Sequence, residues 1–327
     1  MLDRAYGALV GGAIGDAMGM PASFLTRSQI RETYGYIHDF LVPEKSVQDK
    51  HGDLKAGEIT DDTMESIIIA RVIIENGSFS EELFNEKMRD WAVENKMLES
   101  TVIGPSTRRY LTAIINGDDP KKTAGEGVTN GSAMRVAPVG VKYHDDFEAC
   151  LKAALESSLP SHGSRPAAGA CCAVAAAVSG GVHGGYSVNE ILNMAYEGAV
   201  YGEKRGADIT APSVARRIRY IERIVDGAGS ADMSDIMDEV VGIFGSSMFS
   251  YESVPVALAA FYAAKGIGRD GVLAAINAGD DADTNGAICG NICGAYSGAS
   301  SFPDEWKTRV QKTSSIDMEK LAEQLLG

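Results

Sequence analysis

Apolar residues return along this chain mostly at intervals of three and four. After Thr60-Asp61-Asp62, the residues Met64, Ile67, Ile68 and Val72 fall on one helical face, and Gly77 stands where such a helix would stop. The same spacing predicts helices over 82–98, 105–116, 166–179, 187–200, 210–226, 232–243, 254–265, 270–278, 283–298, 303–312 and 315–326. No useful length alternates with the period of two that a half-buried strand needs. The pattern therefore predicts an all-α fold.

Several predicted helices are built from small residues, as in "PAAGACCAVAAAVSGG" and "NGAICGNICGAYSGA". Small side chains at this spacing let helix axes approach closely, which predicts a compact bundle. Polar interruptions argue against the membrane-dimer reading of the same motif, and no apolar run reaches the roughly 20 residues of a membrane span. Neither a fixed-period repeat nor a low-complexity linker divides the chain, so residues 1–327 read as a single domain. The longest irregular stretch, about 38–59, is charged and punctuated by Gly and Pro, the kind of long loop that usually carries function.

Charge narrows the partners. With 45 acidic against 30 basic residues the formal net charge is −15, a field that repels nucleic acid and anionic membrane surfaces and favours cations. No nucleic acid and no membrane is therefore the expectation, and a small anionic substrate is tolerated only where metals or local Arg and Lys reverse the sign. Five cysteines, two of them the adjacent Cys171 and Cys172 in an alanine-rich segment, point to buried thiols in a reducing, cytoplasmic setting. Zinc-type His/Cys spacings are missing. Asp3 and Asp16 bracket the apolar N-terminal stretch and no polybasic region precedes it, unlike a secretory signal.

Candidate chemistry lies in two acidic clusters. "AGDDADTNG" places Asp280, Asp281 and Asp283 at the entrance to an apolar segment, and "GEITDDT" places Thr60, Asp61 and Asp62 at the start of another. Either cluster alone reads as a helix N-terminus, where acids favour the dipole, and Asp62 with Glu65 has capping-box spacing. Two such clusters, each a hydroxyl with carboxylates, read as the halves of a cage for hard divalent cations: Mg²⁺, Mn²⁺ or Ca²⁺. An EF-hand is rejected, because counting twelve positions from Asp281 ends on Ile292 where a glutamate is needed. "GIGRDG" at 266–271 follows a predicted helix and no strand, so it is a helix-to-helix turn and not a dinucleotide fingerprint. "TNGSAMR" supplies a polar turn with Asn130, Gly131, Ser132 and Arg135. "SHGSRPA" sets His162 before a Pro-started helix whose N-terminus suits an anion.

As a set, "GALVGGAIGDAMGMP", "GEITDDT", "TNGSAMR", "SHGSRPAAGA" and "NAGDDADTNGAICGNICGA" resemble the ADP-ribosylglycohydrolase family, which includes the dinitrogenase-reductase-activating glycohydrolase. The resemblance implies a compact orthogonal multi-helix bundle and hydrolysis of an N- or O-glycosidic bond of an ADP-ribosyl or related ribosyl substrate. That substrate is free or carried on an ADP-ribosylated protein. It also implies two divalent cations, Mg²⁺ or Mn²⁺, with ligands at Thr60, Asp61, Asp62, Asp281, Asp283 and Thr284. Asn130, Gly131, Ser132, Met134 and His162 would then line the substrate. Members that remove ADP-ribose often carry a Glu where this chain has Ser23, so the carboxylate role moves to Asp16, Glu58 or Asp62. The alternative is a catalytically degenerate member that acts as a metal- or nucleotide-binding or structural protein.

Overall fold

The computed structural model describes residues 1–45, 47, 51 and 53–327. Among these the fold is all-α, and the extended pairings are isolated bridges, Thr129 with Phe249 and Ser164 with Ala207. Between the helix ending at Tyr34 and the one beginning at Asp61 the described residues form no helix, as the charge and Gly/Pro content of 38–59 predict.

The centre is a pair of antiparallel helices, Leu2–Gly19 and Ala282–Ser297. Their seam is glycine on both sides. A Cβ at Gly7 would lie 2.4 Å from the Gly294 carbonyl oxygen, one at Gly11 2.3 Å from that of Gly290, and one at Gly15 2.0 Å from that of Gly286. No side chain fits there, so the two backbones touch. Because the pair is antiparallel, the end of the first helix, with Asp16 and Gly19, meets the start of the second, with Asp281 and Asp283. Sequences 260 residues apart are thus fixed at one point by the spacing of glycines.

The helix Leu2–Gly19 is not among those the hydrophobic periodicity predicts. It is buried on nearly every side from Ala5 onward, and a helix apolar all round shows no face to detect. Phe147–Ser158 is likewise unpredicted, while the segment 210–226 is two short helices, Val214–Ile218 and Ile221–Gly227. Arg165–His183 is long and apolar enough to cross a membrane, yet its residues are packed inside the protein. Its Ala168 and Cys172 carbonyls receive the close approach of Gly202 and Gly198 from the helix Val188–Glu203.

Candidate active site

The helix Asp61–Asn76 begins at the site because its orphan N–H groups have partners there. Thr60 is the N-cap, accepting from the Asp62 amide. Below it, the Asp16 carboxylate accepts from the Thr60 amide at 3.0 Å and its hydroxyl at 2.8 Å, and from the Thr63 amide at 3.2 Å and its hydroxyl at 2.5 Å. Four donors fill the lone pairs of one carboxylate. Asp16 therefore anchors this helix to the glycine seam. Glu65 is not the partner of a capping box with Asp62; it lies one turn deeper and pairs with Arg135 at 2.6 Å.

Opposite, the chain enters the helix Ala282–Ser297 through Asp280, at φ 55°, paired to Phe24, at φ 67°. The Phe24 amide donates to the Asp280 carbonyl at 2.6 Å and the Asp280 amide to Leu25 at 2.7 Å. Ser23 is fully buried here, and its hydroxyl accepts from the Asp283 amide at 3.3 Å. Ser23 thus satisfies a helix N-terminus, while no carboxylate stands at that position. Asp281 accepts from the Asn130 side-chain amide at 2.5 Å, and the Thr284 hydroxyl donates to Asp62 at 3.2 Å.

These groups surround a cavity of about 150 Å³ lined by Asp61, Asp62, Asp281, Asp283 and Thr284 on one side. Phe24, Met248, Thr107, Thr129, Asn130, Gly131, Met134 and the segment 101–105 line the rest. A cavity of this size takes a single small ring. It shares Ile103 and Pro105 with a groove of about 780 Å³ that carries Arg108, Arg109 and Lys122 beside Asp118 and Asp119.

Burial drives the acids out of their usual range. It raises Asp61 and Asp62 well above an ordinary carboxylate, and the neighbouring acids push further. Asp16 and Asp281 are each pushed up to about 7, burial again the larger cause. Among the described residues, the buried His51 faces this cluster, its Nδ1 3.8 Å from Asp283. Asp62 Oδ2 is buried and has no hydrogen-bond partner among the described residues. Hard oxygens, mutual repulsion and an orphaned carboxylate oxygen fit a divalent cation. Among the described residues, no three carboxylate, imidazole or thiol groups already close on one point as a finished coordination shell.

The residues expected from sequence divide in two. Asp61, Asp62, Asp281, Asp283, Thr284, Asn130, Gly131 and Met134 meet at the cavity. Thr60 and Asp16 lie one layer behind. Glu58 does not line it; its carboxylate accepts from the Lys55 amide in a local turn at 2.8 Å. Ser132 does not line it either, since its hydroxyl accepts from Ser158 at 2.9 Å. His162 sits behind Gly131 between Ser161 and Thr129 and not at a helix N-terminus; Ser164 caps the helix Arg165–His183. Phe24, Met248 and Thr107 were not anticipated, for they belong to no polar motif. Thr129 opens the motif "TNGSAMR", where a lone hydroxyl carries no signal of its own.

Comparison with known proteins matches residues 1–327 to the ADP-ribosylglycohydrolase family. An uncharacterized protein of Archaeoglobus fulgidus is 32% identical over 306 residues, 94% of this chain and 91% of that protein. ADP-ribosylarginine hydrolase Tri1 of Pseudomonas putida is 28% identical over 340 residues, 99% of this chain and 78% of the relative. A solved ADP-ribosylglycohydrolase-related protein complex superposes with a TM-score of 0.74 at 25% identity, covering 99% of this chain and 97% of that one.

Proposed function

This chain belongs to the ADP-ribosylglycohydrolase family, and on that premise we propose that it hydrolyses the glycosidic bond at the ribosyl carbon of an ADP-ribosyl substrate. The observation that carries the reading is the ring of buried carboxylates round a one-ring cavity that shares its edge with a groove where Arg108, Arg109 and Lys122 stand beside Asp118 and Asp119. The ribose fits the cavity. The anionic remainder of the substrate lies along Arg109 and Lys122, where its charge is attracted although the whole molecule is acidic.

Asp61, Asp62, Asp281, Asp283 and Thr284, which line the cavity, would hold two divalent cations, Mg²⁺ or Mn²⁺, with Thr60 one layer behind them; when bound the cations supply Lewis-acid polarisation and a water of lowered pKa. The chain's own groups do the rest. Positive charge that develops on the ribose as the bond breaks is offset by Asp61, Asp281 and Asp283. Of the acids nominated as base, Asp62 alone lines the cavity; burial and its acidic neighbours favour its protonated form, so it would accept a proton from the attacking water only when bound cations hold it ionised. Asp16 positions the helix Asp61–Asn76. Phe24 and Met248 give the cavity part of its apolar wall. A reducing, cytoplasmic setting suits the buried free thiols of Cys150, Cys171, Cys172, Cys289 and Cys293.

Ser23 favours a second reading, a member that binds a ribosyl ligand without cleaving it, because its hydroxyl is occupied by the Asp283 amide. Release of ribose or ADP-ribose decides between them. The panel is ADP-ribosyl-arginine, ADP-ribosyl-serine, O-acetyl-ADP-ribose and common nucleosides, with Mg²⁺ or Mn²⁺ and again with EDTA. Metal-dependent cleavage of one class is expected. No cleavage by protein that demonstrably binds ADP-ribose would establish the second reading.

A further inference from the structure

Behind the cavity runs a buried chain of polar groups that the proposed chemistry does not use. Arg135 is fully buried; one terminal nitrogen donates to Glu65 at 2.6 Å and the other to the Ser161 hydroxyl at 2.7 Å. Ser161 Oγ is 2.7 Å from His162 Nδ1, and His162 Nε2 is 3.0 Å from Thr129 Oγ1. Thr129 lines the cavity. Its neighbour Asn130 has committed both amide hydrogens, one to Ser253 at 2.9 Å and one to Asp281 at 2.5 Å.

Proton accounting gives this chain a direction. An arginine can only donate, so the Arg135 contact uses a Ser161 lone pair and leaves the Ser161 proton to be placed. Among the described residues, the side-chain acceptor within reach is His162 Nδ1. With Nδ1 accepting, a neutral ring carries its proton on Nε2 and donates it to Thr129. Of the protons on Ser161, His162 and Thr129, that of Thr129 alone is then left to be placed, and Thr129 lines the cavity; the Arg135 Nε–H lacks a partner among the described residues in either polarity and does not choose between them. The opposite polarity, with Nδ1–H donating to Ser161, strands the Ser161 proton in the interior, where an unmade hydrogen bond is costly. Burial, with Arg135 and Arg109 nearby, holds His162 well below its ordinary pKa, consistent with a neutral ring.

We propose a hydrogen-bond relay of fixed direction, Arg135 to Ser161 to His162 to Thr129, that presents the Thr129 hydroxyl as a donor to an acceptor oxygen of the substrate. Thr129 is then a specificity-determining residue, and His162 and Arg135 are positioning residues that act through it. The sugar-phosphate identity of the ligand rests on the function proposed above; the direction of the relay does not.

The test has two readouts. In ¹⁵N-labelled protein, the ring nitrogens of His162 should report a neutral Nε2–H tautomer that stays fixed across pH 6–8, and Ser161→Ala should release that preference. Binding of ADP-ribose by calorimetry should weaken about tenfold or more in Thr129→Val and stay within about threefold in Thr129→Ser, the hydroxyl being the difference. Thermal melts of both Thr129 variants verify folding, and the serine variant keeps the comparison if valine unfolds the chain. An Nδ1–H tautomer in the wild type overturns the relay, as does unchanged ADP-ribose affinity in a folded Thr129→Val. Wild-type protein that ignores ADP-ribose but shows the Nε2–H tautomer overturns the proposed substrate and leaves the relay standing.

Discussion

Asp283 shows how one residue serves architecture and chemistry through different atoms. Its amide is held by Ser23, one carboxylate oxygen accepts from the Thr284 amide, and the other faces His51. Asp283→Asn keeps the shape and the amide contact but removes a charge that Asp16, Asp61, Asp62 and Asp281 all feel as repulsion. The variant is expected to melt no lower than wild type in the absence of metal, yet to lose at least one bound ion and most activity. Metal analysis beside a thermal melt checks both, and wild-type metal content in the variant would remove Asp283 from the ligand set. The carboxylates were legible in the sequence because acids at the head of an apolar helix demand an explanation. Phe24, Met248 and Thr107 were not, because a side chain that shapes a cavity looks in one dimension like any other.

Helices, in turn, are placed by what they lack. Small-residue stretches predict close axes, but it takes the fold to pair Gly7, Gly11 and Gly15 with Gly294, Gly290 and Gly286. Periodicity missed the helix Leu2–Gly19 since burial on all sides erases the polar face that makes a period visible. Gly15→Ala puts a methyl 2.0 Å from the Gly286 carbonyl oxygen, and both neighbours there are backbone, so the helices must separate. Overpacking of this kind costs about 1–3 kcal/mol or more. The separation would also shift Asp16 and the Asp61–Asn76 helix relative to Asp283. Gly15→Ala is therefore expected to lower the melting temperature and to reduce activity further than the unfolded fraction explains. Gly77→Ala, where no atom lies within 4 Å but φ is 78°, should destabilise by about 1 kcal/mol and leave the activity of folded protein unchanged. Assays at a temperature where both variants are folded separate the two cases; equal specific activity would detach the seam from the site.

For the molecule as a whole, the buried acids couple folding to protons and to cations. Asp16 and Asp281 titrate at about 7 when folded, against an ordinary value near 4 in the unfolded chain. The folded state therefore binds more protons than the unfolded state between those limits, and stability must fall as pH rises through that window. Metal-free protein is expected to be most stable near pH 5 and to lose several degrees of melting temperature by pH 8, at about 2 °C per kcal/mol for a chain of this size. A divalent cation replaces those protons as the compensating charge. Mn²⁺ or Mg²⁺ should accordingly raise the melting temperature more at pH 8 than at pH 5, and binding near pH 6.5 should release protons to the buffer. Calorimetry in two buffers of different ionisation enthalpy measures that release directly. A metal-free protein that is stabler at pH 8 would mean that other groups compensate the acids, and the electrostatic case for cations in this cavity would fall with it.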